Sequence, residues 1–189
     1  MKISDIPFDI SYHIDIKSLH EIPNNFNEMK KGIGHLRKEL ENTSDTAEAA
    51  KIKTILGAYL RIFGELEESA TLLLQTIEEL RQFDLPVHRM AAELRLATTL
   101  TWQGQFSQAE NSFNLAINQI TLTTISSVKS QMDYALVYLG KCLFEQKKYS
   151  LAMDHFMQVL ESRLIKGDID QINAIQEIIN ITGPLIENS

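Results

Sequence analysis

Ile52-Lys53-Thr54-Ile55-Leu56-Gly57-Ala58-Tyr59-Leu60 aligns without gaps on Ala92-Glu93-Leu94-Arg95-Leu96-Ala97-Thr98-Thr99-Leu100, and both align on Ala135-Leu136-Val137-Tyr138-Leu139-Gly140-Lys141-Cys142-Leu143. Each stretch carries a small residue (Gly57, Ala97, Gly140) between two large aliphatic ones. Four residues past each final Leu comes a short polar break, and then a second helical pattern. A unit that recurs in register is the signature of stacked helical hairpins, in which each hairpin buries its face on the next. The alignment therefore predicts an all-α fold and points to a binding scaffold.

The match continues into the second helix of each repeat. Ser69, Ala109 and Ala152 share one small position, and Leu73, Phe113 and Phe156 share a large one four residues on. Thr76, Ala116 and Val159 follow, then Ile77, Ile117 and Leu160. Small residues let two helices approach closely, and the large ones fill the space beside the crossing. A helical Gly costs roughly 1 kcal/mol against Ala, so Gly57 and Gly140 imply a packing reason.

These residues resemble the tetratricopeptide repeat, with its Leu-Gly-x-x-Leu box followed by Ala-x-x-x-Phe. Trp102-Gln103-Gly104-Gln105-Phe106 is similar to that family's turn between paired helices, and Gly64-Glu65-Leu66 and Lys147-Lys148-Tyr149 take the same place in the other copies. The resemblance runs from about residue 50 to 166 and is weakest in the first copy, where Ser69 and Leu73 replace Ala and Phe. It implies a right-handed α-α superhelix of three hairpins, at about 50–83, 90–123 and 133–166, with an N-terminal helix at 24–42 and a C-terminal capping helix at 168–182. The copies begin at residues 52, 92 and 135, offsets of 40 and 43 rather than the usual 34. Extra length implies longer helices or loops, and resembles the long-repeat branch found in signalling scaffolds and bacterial regulators.

At 189 residues the chain reads as one domain with enough core to fold alone. No apolar run approaches the length of a membrane span. Met1-Lys2-Ile3-Ser4-Asp5 lacks the apolar stretch of a signal peptide, and the lone Cys142 excludes an internal disulfide. A cytoplasmic protein is expected. The net charge of −7 argues against general nucleic-acid binding, which needs a basic face.

Helices are predicted at 46–63, 66–83, 87–103, 106–120, 128–146, 149–166 and 169–181, with a loop at 121–127 rich in β-branched and hydroxyl residues. Phe26, Met29, Ile33, Leu36 and Leu40 form the stripe of the N-terminal helix, which Asn24 or Asn25 caps and Gly32 and Gly34 weaken. Asp45 with Glu48 reads as a capping box, Pro86 as a first-turn proline, and Gly167 as a helix end. Asp168 with Gln171 caps the final helix, whose stripe is Ile172, Ile175 and Ile179 and which ends at Gly183-Pro184.

The first 23 residues read as an extended segment. Phe8, Ile10, Tyr12, Ile14 and Ile16 alternate with polar residues, the pattern of a half-buried strand. No second strand is evident, so the options are self-pairing in a homodimer, docking of the segment, with Asp9 and Asp15, onto the helices, or disorder.

No catalytic constellation emerges. The five His residues are scattered without metal-ligand spacing, Gly32-Ile33-Gly34 lacks the rest of a dinucleotide fingerprint, and Asn42-Thr43-Ser44 and Asn180-Ile181-Thr182 are chance sequons without a secretory signal. No metal, cofactor, nucleic acid or membrane is expected as a partner. The resemblance implies instead that a protein or peptide lies along the concave face, lined by the first helix of each repeat. That set includes Lys51, Thr54, Arg61, Arg95, Thr98, Trp102, Tyr134, Tyr138, Lys141, Phe144 and Glu145. Lys51, Arg61, Arg95 and Lys141 oppose the single Glu145, so an acidic or carboxylate-bearing segment is favoured on an otherwise acidic protein. Thr54, Ala58, Arg95, Tyr134 and Tyr138 occupy the places where the family's chaperone-tail clamp needs Lys, Asn and Arg, so binding of chaperone tails is not expected. Two further readings remain open: a bacterial-type peptide-sensing module acting on a separate effector, and a self-assembling adaptor.

Overall fold

The computed structural model describes residues 3–187, so the first two residues of the predicted extended segment lie outside the described residues. The fold is an all-α helical repeat apart from one small β-hairpin. Length alone predicts one domain; the chain instead forms two compact units, 3–15 with 20–105, and 16–19 with 106–187.

In the first unit, α1 (Phe26–Glu41), α2 (Thr46–Phe63), α3 (Leu66–Leu80) and α4 (Pro86–Trp102) pack in sequence. Asn25 caps α1: its Oδ1 accepts from the N–H groups of Asn27 and Glu28, both at 3.1 Å. Asp45 caps α2, accepting from Glu48 N–H at 2.8 Å. Each such cap is worth about 1 kcal/mol. Met29, Ile33 and Leu36 of α1 meet Ile52, Ile55, Leu56, Tyr59, Leu60 and Ile62 of α2 in one cluster. Phe26, predicted in the stripe, is mostly exposed.

Helix α1 runs unbroken through Gly32 and Gly34. A Cβ on Gly32 would collide with Ile10 Cγ2, so this glycine admits the N-terminal segment against the helix. Ile6 is buried there, with Phe8 and Ile10 packed on the same cluster. The alternation thus records docking over residues 6–10 rather than a nine-residue strand.

Only Tyr12–Ile14 is a strand, β1, and it has a partner within the chain. Glu21–Pro23 forms β2, antiparallel to it, in the register Tyr12↔Pro23, His13↔Ile22 and Ile14↔Glu21. This corrects the expectation of an unpartnered strand. Three residues that include a Pro carry no readable alternation, although Pro is tolerated where no ladder N–H is needed. Asp15 N–H donates to His20 C=O at 2.8 Å, and Asn24 N–H to Ser11 C=O at 3.0 Å, closing both ends of the ladder. Strand β2 is the inner one: it lies on α2, with Glu21 and Pro23 buried and Ile22 half-buried.

The predicted close approaches exist. Ser69 Oγ of α3 donates to Gly57 C=O of α2 at 2.7 Å, and a Cβ on Gly57 would sit 2.7 Å from Leu73 Cγ. In the second unit, α5 (Phe106–Leu122) is followed by the short α6 (Ser126–Lys129), α7 (Met132–Glu145), α8 (Tyr149–Lys166) and α9 (Ile169–Glu187). There Gly140 of α7 admits Phe156 of α8, whose Cδ1 would lie 2.9 Å from an added Cβ. The same sixteen-residue spacing therefore performs the same packing in both units.

The turns repeat as closely. Gly64, Gly104 and Lys147 occupy equivalent positions and all have positive φ: 101°, 73° and 61°. The next residue donates back to a carbonyl of the preceding helix in all three: Glu65 to Leu60, Gln105 to Leu100, Lys148 to Leu143. This is the left-handed helix stop that releases the chain into the following helix.

Two boundaries differ from expectation. The predicted loop at 121–127 is shortened by two extra residues of α5 and then coils into α6, so the added repeat length is partly helical. Helix α9 does not stop at Gly183-Pro184 but continues to Glu187. The proline removes a bond to the carbonyl of Asn180, an exposed residue, while buried Ile175, Ile178 and Thr182 hold the helix in place. Ile172 and Ile179, predicted in that stripe, are only half-buried or at the margin of it.

Candidate functional site

Arg61 stands in the last turn of α2, where the helix dipole favours a cation. Only 1% of it is exposed. Its Nη1 donates to Oε2 of Glu21, 2% exposed, at 2.7 Å. The guanidinium carbon lies 4.6 Å from the centre of the Trp102 ring at the end of α4. The His20 ring stacks on the same indole, with centroids 3.8 Å apart and planes 7° from parallel. A guanidinium is suited to this setting: it is planar, weakly hydrated, always charged, and matches both a carboxylate and an aromatic face.

Around this centre the first unit adds Tyr59, Arg95 and Tyr12. Burial pushes the Tyr59 phenol up to about 12; Tyr12 adds to the rise and the Arg95 guanidinium opposes it. Thr98 is buried and its hydroxyl donates to Leu94 C=O of its own helix at 2.9 Å, so it lines the packing rather than an open face. Thr54 and Thr101 do the same with Ala50 and Ala97. Lys51 lies ten residues before Arg61, roughly 15 Å along the helix, and pairs with Glu48 at 3.7 Å. It is not part of the Arg61 centre.

The second unit holds the other predicted residues as a separate group. Tyr134 and Tyr138 stack at 4.2 Å, and Lys141 Nζ sits 4.9 Å from the Tyr138 ring centre. Lys141 is 6% exposed. Phe144 is buried, edge-on to Tyr149 at 5.3 Å. Asp133 anchors this end, accepting from Ser162 Oγ at 2.9 Å and Lys166 Nζ at 2.7 Å.

Several of the predicted residues are covered rather than open. Arg61, Thr98 and Lys141 are buried, and Trp102 is overlaid by His20. Two residues central to the first-unit site, His20 and Glu21, escape a reading from sequence. Their one signal is the acid of His20-Glu21-Ile22-Pro23, two residues before a proline in a chain segment that ends at a helix cap. The acid seen on Arg61 is Glu21, whereas the Asp9 carboxylate accepts from Ser11 N–H at 3.0 Å.

Among the described residues no group of three or more His, Cys, Asp or Glu side chains is arranged to hold a metal ion. No helix among them is long and apolar enough to cross a membrane. A cleft of about 420 Å³ in the first unit is lined by Asp5, His35, Glu39, Thr43, Glu48 and Ile52, and contains none of the predicted residues. No protein-family model and no curated protein matches the chain.

Proposed function

We propose that this chain is a non-enzymatic scaffold of the tetratricopeptide type, acting in the cytoplasm, that takes an acidic segment of a protein or peptide partner on the inner face of its first unit. The reading is carried by one observation: a carboxylate from an extended segment is received by buried Arg61 beside Trp102. A face that accepts such a segment from its own chain has the charge, the aromatic surface and the shape to accept one from another. Arg95 supplies a second cation on α4, half-buried near Tyr59. In the second unit, Tyr138 and Lys141 offer the same pairing of ring and cation.

A random peptide library panned on the full chain tests this. Sequences enriched in Glu or Asp are expected, and the enrichment should fall on the Arg95→Glu chain. Enrichment without an acidic bias would remove the reading.

A further inference from the structure

Two side chains of the segment His20-Glu21-Ile22-Pro23 reach the helices directly. The His20 ring lies on Trp102 and the Glu21 carboxylate on Arg61, while Pro23 is buried. An apolar residue at 21 facing an apolar residue at 61 would fill this space without removing two charges from water. A buried ion pair therefore brings selectivity for a carboxylate more than it brings strength.

The hairpin is also built to leave intact. Strands β1 and β2 satisfy their backbone groups on each other, in a register confined to residues 12–14 and 21–23. Separation from α2 and α4 breaks side-chain contacts and leaves the β1–β2 ladder itself paired. Departure exposes Pro23 and breaks the Glu21–Arg61 pair, which makes the docked form the resting state.

We infer that residues 20–23 are a resident copy of the ligand. An outside segment of the same chemistry (ring, carboxylate, aliphatic, proline) takes the face by displacing the hairpin. This rests on the peptide-binding reading above and adds both the order of groups recognised and a gate on access.

The test uses a fluorescein-labelled heptapeptide, Ser-Leu-His-Glu-Ile-Pro-Asn, copying residues 18–24, and the same peptide with Gln in place of Glu. Both are titrated by anisotropy into the full wild-type chain and the full chain carrying His20→Ala and Glu21→Gln. Where the docked form holds at least nine-tenths of the population, freeing the face raises apparent affinity by about tenfold or more. That rise is expected for the Glu peptide and not for the Gln peptide. Should the double variant melt at working temperature, His20→Ala alone keeps the Glu21–Arg61 pair, and a rise of about threefold is expected from the lost ring stack.

Equal affinity of variant and wild type for the Glu peptide overturns displacement while leaving peptide binding in place. Equal affinity for the Glu and Gln peptides overturns the carboxylate rule. No binding to any chain overturns both this inference and the function it rests on.

Discussion

Arg61 and Glu21 stand forty residues apart in sequence and meet at 2.7 Å, each with a side chain only 2% exposed. Taking one of them away strips the other, charged and buried, of this contact. Glu21→Gln is expected to destabilise the first unit by about 3 kcal/mol, within the 3–5 kcal/mol range for breaking a buried pair. The double change Glu21→Leu with Arg61→Met should recover most of that loss, because it removes both desolvation costs. Urea unfolding followed through Trp102, the single tryptophan, reports on this unit. A double variant no more stable than Glu21→Gln would mean that the pair is not the source of the loss.

Gly32 and Gly34, two residues apart in α1, should respond to alanine with opposite signs. Nothing lies within 4 Å of a Cβ on Gly34, so Gly34→Ala gains helix propensity and stabilises by roughly 1 kcal/mol. At Gly32 the added methyl meets Ile10, so Gly32→Ala is expected to destabilise by about 1–3 kcal/mol. Paired thermal melts decide it; the same sign for both would show that the N-terminal segment does not press on α1.

Lys147 adopts φ 61° where its two equivalents are glycines. A non-glycine residue in this region costs roughly 1–2 kcal/mol, partly offset by the freedom glycine adds to the unfolded chain. Lys147→Gly should therefore stabilise by about 1 kcal/mol, a rise in Tm of about 2–4 °C for a chain of this size. Gly104→Ala, the mirror experiment at φ 73°, should lower Tm.

Tyr59 makes alkaline stability a probe of the site. Its phenol is raised from 10 in the unfolded chain to about 12 in the fold, chiefly by burial. Above pH 10 the unfolded chain loses this proton while the folded one keeps it, so stability falls as pH rises from 10 towards 12. Tyr59→Phe should flatten that part of the profile. An unchanged alkaline slope in the variant would show that the phenol is not desolvated.

Most helices are legible because their causes are local. Asp45, Asn25, Pro86 and Gly167 each mark a helix end with their own backbone chemistry, and each stands where its residue type predicts. The packing of Gly57 on Leu73 and of Gly140 on Phe156 is legible because the copies state it more than once. The end of α9 is misread because a proline rule is local, whereas burial of Ile178 and Thr182 is not. The site is half legible: the repeat register singles out Arg61 and Trp102, but nothing near Glu21 in sequence announces a partner forty residues away. Its strand is too short for a period, and the longer alternation before it draws attention to Asp9 and Asp15 instead.

The ring stack joins residue 20 to residue 102, so its two halves are translated far apart in time. At about 5–20 residues per second, the ribosome needs on the order of 4–16 s to reach the indole after the imidazole has been made. For that interval the His20 ring lacks the indole it stacks on, although Arg61 and the rest of α2 are made within it. The hairpin's seat is thus completed by a residue made long after the hairpin itself.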